Sequence, residues 1–127
     1  MGFSYTWQPA RNFVAEAAVS QYRIVKFGAS DTKVIQASAT TAPLIGITDT
    51  AQDEAGKGVD IWQGGIHPIE YGGTVTRGAM LTSDSIGRGI AAAPSAGTNA
   101  YIIGQAQESG VVGQIGSCLI QPGTFQG

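Results

Sequence analysis

The chain holds one histidine, His67, and one cysteine, Cys118, and these two bound the chemistry open to it. A Ser-His-acid relay needs an imidazole set between a nucleophile and an acidic orienter. His67 instead stands between Ile66 and Pro68 in a strand-like run. Proline is tolerated on edge strands, where its missing N–H costs no ladder bond, so His67 is expected to be a structural or surface residue of such a strand. One His and one Cys cannot alone complete a zinc site. Asp49, Asp53, Glu54 and Asp60 are close in sequence but lack the alternation and closing glutamate of a calcium loop. They are expected to form a solvated acidic loop. Gly56-Lys57-Gly58 and Gly87-Arg88-Gly89 share a GxG spacing, yet a phosphate cradle needs a helix to follow the glycines. Strand-like sequence follows both, so they read as turns. Lys33, in the run Asp31-Thr32-Lys33, sits where a carrier lysine for lipoyl or biotin could, but no paired half-repeats flank it. Cys118 lies in the apolar run 115–120 and is expected to be a small buried hydrophobe. No catalytic residue, cofactor site or metal site emerges.

Composition narrows the class further. Of 127 residues, 19 are glycine and only 13% are charged, about twice the usual glycine share and half the usual charge. Glycine-rich, charge-poor and moderately apolar composition fits a turn-dense β-protein with surface hidden in an assembly. Disorder is disfavoured, since it goes with low hydrophobicity and high net charge. A net charge of −2 without any basic run argues against capture of nucleic acid or anionic lipid. A single cysteine allows no intrachain disulfide. No secretory pattern opens the sequence, and no stretch of about 18 apolar residues provides a membrane span.

The elements that position these residues are short strands. The stretch Ala10 to Val19 is the best helix candidate but lacks caps, and so short a helix would be marginal in water. From Tyr22 onward, strands are expected at 22–27, 33–38, 44–48, 59–63, 66–71, 79–82, 89–92, 101–107 and 114–120. The first two, across the polar turn 28–32, form a hairpin. Gly64-Gly65 and the run Asp84 to Gly87 supply turn chemistry, and 109–113 joins the last two strands. Turn signals at this spacing mark a sandwich or small barrel. The expectation is an all-β, single-domain β-barrel or sandwich with little helix, comprising residues 15–127 behind an extended N-terminal arm, 1–14.

Alternation within the strands is imperfect. Ile24 and Val25, Ile61 and Trp62, and Ile102 and Ile103 each place apolar side chains on both faces. A half-exposed sheet shows them on one face only, so a second covering surface is implied, with subunit contact the economical source. In the arm, Phe3, Tyr5 and Trp7 alternate with small or polar residues, and Pro9 biases Gln8 toward extended backbone. Such a segment can serve as the domain's own first strand or add itself to an open edge of another chain. Phe3, Tyr5, Trp7, Phe13 and Trp62 are the candidate partner-binding residues, because aromatic side chains are favoured anchors; for Trp62 a core role is the alternative.

The order of these segments resembles a known family. Tyr22 to Lys26, Val34 to Ala37, Leu44 to Ile47, Gly58 to Ile61, Gly78 to Asp84 with Gly87, Ile102 to Ala106 and Gly113 to Ile120 together look like the small capsid cement, or decoration, proteins of tailed bacteriophages. The resemblance rests on strand-and-turn order over roughly Ala17 to Pro122. It implies a non-enzymatic, cofactor-free β-domain that binds the major capsid protein on the outer surface of the virion and stabilises the head against internal pressure. It further implies a homotrimer, held in the host cytoplasm before assembly, with no direct nucleic-acid or membrane contact. Alternatives are another virion component, such as a head-fibre base or tail protein, or a small β-barrel enzyme or carrier domain.

Overall fold

A computed structural model describes residues 10–127. Ten strands appear and, among the described residues, no helix. They are β1 (Ala10–Ala15), β2 (Ile24–Phe27), β3 (Lys33–Gln36), β4 (Gly46–Thr48), β5 (Gly58–Trp62), β6 (Ile66–Glu70), β7 (Met80–Ser83), β8 (Gly89–Ala91), β9 (Asn99–Ala106) and β10 (Ile115–Gln126). The first five close into a barrel in the order β1-β3-β2-β4-β5. The last five form an antiparallel sheet in the order β6-β10-β9-β7-β8. The all-β expectation holds, as does the β2–β3 hairpin, which pairs Val25 with Gln36 and Phe27 with Val34.

The stretch read as a possible helix is a strand. β1 runs antiparallel to β5, with Ala10 opposite Trp62 and Phe13 opposite Val59, and parallel to β3 through Val14 and Ala15. Alanine-rich composition favours helix locally, but here two non-local ladders decide the backbone, and an uncapped helix offers little resistance. Residues 10–14, expected within the arm, are thereby part of the barrel wall.

The faces of the barrel strands explain the imperfect alternation. Phe13, Ala15, Val19, Val25, Val34, Ile45, Val59 and Ile61 fill the barrel interior. Ile24, Ala37, Leu44 and Ile47 turn outward and pack on Ile69, Tyr71, Leu81, Ile103, Cys118 and Ile120 of the sheet. Ile24 and Val25 are both fully buried, one on each side of the same strand. The covering surface inferred from the sequence therefore comes from the chain itself; subunit contact is not needed to account for these residues. A barrel strand with a sheet stacked on its outer face has two dry sides.

Backbone features shape the sheet and its junction with the barrel. Gly104 has φ +156°, and a Cβ there would fall on the Leu119 carbonyl oxygen, so only glycine allows β9 to approach β10 this closely. Beyond it the ladder shifts between Ile120 and Gly123, leaving Gln121 and Pro122 as a bulge in β10. At the junction, Tyr22 adopts a left-handed φ of +57°, a conformation costing a non-glycine residue about 1 kcal/mol or more. Its N–H donates to Thr48 O at 3.1 Å and its carbonyl accepts the Glu70 N–H at 3.1 Å. The strained residue thus ties the barrel to β6.

Candidate interaction surface

His67 is buried on β6. Its Nε2 lies 3.1 Å from Asp49 Oδ1 and its Nδ1 lies 2.8 Å from Pro68 O. Trp62 stacks on the ring at 5.0 Å between centroids, and Tyr22 meets it edge-on at 6.0 Å. Both nitrogens are engaged and two aromatic rings cover the faces, which fits a structural histidine on an edge strand, as its proline neighbour implied. Cys118 is fully buried opposite Ala106 and His67. Burial pushes its thiol up to about 12, so it stays protonated and unreactive at neutral pH. Tyr71 is also raised above its ordinary value, chiefly by burial, and its hydroxyl donates to Glu108 O at 2.6 Å.

Charge collects where the two halves meet. Arg23 Nη2 of the barrel approaches Glu70 Oε1 at 3.2 Å, and Arg88 Nε approaches Asp84 Oδ2 at 2.8 Å. Arg88 Nη1 also lies 3.9 Å from Glu70 Oε2. Asp84 Oδ1 accepts the backbone N–H groups of Ile86 and Arg88 at 2.9 and 2.8 Å, which makes it the clasp of the β7–β8 turn. Gly87 completes that turn at φ +79°. Gly56, at φ +85°, likewise sits in a turn leading into a strand. Among the described residues no group of three His, Cys, Asp or Glu could hold a metal ion; Asp60 accepts a hydrogen bond from Asn12 Nδ2 at 3.0 Å, and Asp49 is spent on His67.

One face of the sheet exposes apolar side chains. β6 and β10 turn Ile66, Pro68, Ile115 and Leu119 to the face away from the core, with Ile66 opposite Leu119 and Ile115 opposite Glu70. Ile66 is 61% exposed, Ile115 49%, and Val111 and Val112 in the preceding turn 50% and 59%. The turn is set by Gly113 at φ +84° and by Gln114, whose N–H donates to Val111 O at 3.1 Å. Exposed apolar side chains on this sheet face and in the turn beside it make the region a candidate for contact with a partner. Its signal was present in the sequence as a valine pair bracketed by Gly110 and Gly113, where turns normally carry polar residues.

Two of the aromatic anchor candidates lie in the described region. Phe13 is 1% exposed inside the barrel, edge-on to Phe27 at 6.3 Å with Arg11 over its ring at 4.5 Å. Trp62 is partly buried against the shared core and His67. The structure does not bring either into the Ile66–Ile115 cluster. Phe3, Tyr5 and Trp7 fall outside the described residues.

No family model matches the chain, and no curated protein matches it. Among solved structures it is similar to the N base of head fibre gp8.5 of bacteriophage phi29, with a TM-score of 0.69 and 16% identity over 93% of this chain and 98% of that one. The likeness covers both halves of the molecule, so the barrel-plus-sheet arrangement is a shared fold.

Proposed function

We propose that the chain is a structural, non-catalytic protein of a bacteriophage head, built as the base of a head fibre or a comparable surface attachment. The observation that carries this reading is the near-complete overlap with the phi29 head-fibre base. It favours the fibre-base alternative over the cement role that the strand order first suggested, although both place the protein on the outer face of the capsid. The cement reading keeps support from the strand-and-turn resemblance.

The attachment surface in this proposal is the outer face of β6 and β10 with the adjoining turn: Ile66, Val111, Val112, Ile115 and Leu119. Its partner is the major capsid protein, and removal of these side chains from water supplies most of the affinity, at about 25 cal/mol per Å² of apolar surface. A specific contact of standard size buries about 1,600 Å² in total, more than five side chains provide. A homotrimer, which would present three such faces together, meets that requirement by multivalency. The role calls for no cofactor and no nucleic acid.

Co-sedimentation tests the proposal. The purified chain is expected to pellet with mature heads of the phage that encodes it, and gold-labelled chain should decorate heads and not tails. Label confined to tails, or no sedimentation with heads, would overturn it.

A further inference from the structure

We propose that His67 is the positioning residue of the attachment strand: it pins β6 to the barrel and so fixes where Ile66 and Pro68 stand. The inference rests on the attachment surface proposed above and names what holds that surface in place. Along β6 the side chains alternate. His67 and Ile69 turn into the core, while Ile66 and Pro68, on either side of His67, are exposed. The backbone alternates as well. Gly65 O, just before the strand, accepts the Ile120 N–H at 2.9 Å, and the Tyr71 N–H, just after it, donates to Gln114 O at 2.8 Å. Between them His67 and Ile69 point their peptide groups at β10, opposite Cys118 and Gly116. Ile66, Pro68 and Glu70 therefore direct theirs to the other side, the outer edge of the sheet.

That edge is closed by bonds that the barrel and His67 supply. The Glu70 N–H donates to Tyr22 O at 3.1 Å. Pro68 has no N–H to offer, and its carbonyl oxygen lies 2.8 Å from His67 Nδ1. An added strand would find no free donor at either position, which is one way natural sheets protect an edge. Contact at β6 thus falls to its outward side chains and depends on where they are held.

The ring of His67 reaches the barrel at three points. Nε2 lies 3.1 Å from Asp49 Oδ1, Trp62 covers one face at 5.0 Å between centroids, and Tyr22 stands edge-on at 6.0 Å. Pro68 O and Asp49 Oδ1 are both acceptors, and the imidazole is the donor group set between them. Asp49 is a firm anchor. It follows the fully buried Thr48, whose Oγ1 donates to Ser20 O at 2.7 Å and accepts the Arg23 N–H at 2.9 Å. The carbonyl of Asp49 itself accepts a hydrogen bond from Gln21 Nε2 at 3.1 Å. With the β10 ladder on one side and this pin on the other, β6 has little freedom to slide or tilt, and Ile66 is presented in one place.

The side chain of Asp49 is half-exposed, so Asp49→Ala cuts the pin without disturbing the core. In the full-length chain it should speed hydrogen exchange at the Glu70 amide by about tenfold while leaving β2 unchanged. Affinity for phage heads should fall by about tenfold as well. Asp49→Asn, whose side-chain oxygen still accepts, should recover most of both losses. A role in overall stability alone would move β2 together with Glu70, and that result would overturn the inference. So would undiminished head binding by Asp49→Ala, or unchanged exchange at Glu70. A wild-type chain that does not bind heads would instead strike down the attachment reading, and Glu70 exchange would then test the pin by itself.

Discussion

The barrel and the sheet contain equal numbers of strands and use them differently. The barrel closes on itself, so β1 to β5 expose no edge, and its interior holds eight apolar side chains from Ala15 to Phe13 in size. The sheet stays open, with a bulge in its last strand and several exposed aliphatic residues. Closure removes the hazard of edge-to-edge association, while an open sheet keeps surface available for partners. In the proposed function the sheet, not the barrel, makes the contact. The halves are not separable, because Ile24, Leu44 and Ile47 of the barrel belong to the same core as Ile69, Leu81 and Ile103 of the sheet.

That comparison breaks most decisively at the cores. Phe13→Ala empties the barrel and Ile69→Ala opens the shared core; each should cost about 3–5 kcal/mol and shift a single urea transition. Two separate transitions in either variant would mean that the halves fold independently. Gly104→Ala tests whether the sheet depends on its close β9–β10 approach, and a loss of about 2–3 kcal/mol is expected in the same experiment. A loss below about 0.5 kcal/mol would show that the ladder yields easily.

Alkaline titration separates the halves more gently. Cys118 is raised from 9.0 to about 12 by burial, so the folded protein binds the thiol proton more tightly than the unfolded chain. Its contribution is complete below pH 9 and is lost as pH rises from 9 toward 12. Thermal melts should fall across that window, and Cys118→Ala should flatten the decline. Glu70→Gln weakens the pairing with Arg23 and Arg88 across the junction. Both partners are partly screened by solvent, so about 1–2 kcal/mol is expected from urea unfolding. Ile115→Lys should change stability least, within about 0.5 kcal/mol, yet abolish sedimentation with phage heads. Retained binding would move the attachment surface elsewhere.

The strands were legible where turns were chemically explicit. Gly28 to Thr32 and Asp84 to Gly87 carry residues whose backbone preferences force a reversal, and β2, β3, β7 and β8 fall around them as expected. β1 was not legible, because nothing local in Ala10 to Ala15 records that Val59 and Lys33 will lie beside it. The second half of β10 was missed for a related reason: Pro122 reads as a stop, and only the bulge allows the strand to pass it. The two-faced strands were seen correctly as doubly covered. Their cover was assigned to another subunit because residue spacing reveals that a face is apolar but not which segment buries it. Of the interaction surface, the sequence pointed to aromatics, whereas the exposed cluster of the described region is aliphatic.

The order of pairing along the chain has a consequence for synthesis. Once Trp62 is out of the ribosome, and while the sheet is still being translated, every strand of the barrel has emerged. Its outward-facing Ile24, Leu44 and Ile47 then stand bare until β6 to β10 arrive. The nascent protein therefore carries an uncovered oily flank until the sheet is complete, and over that interval it is most vulnerable to clumping.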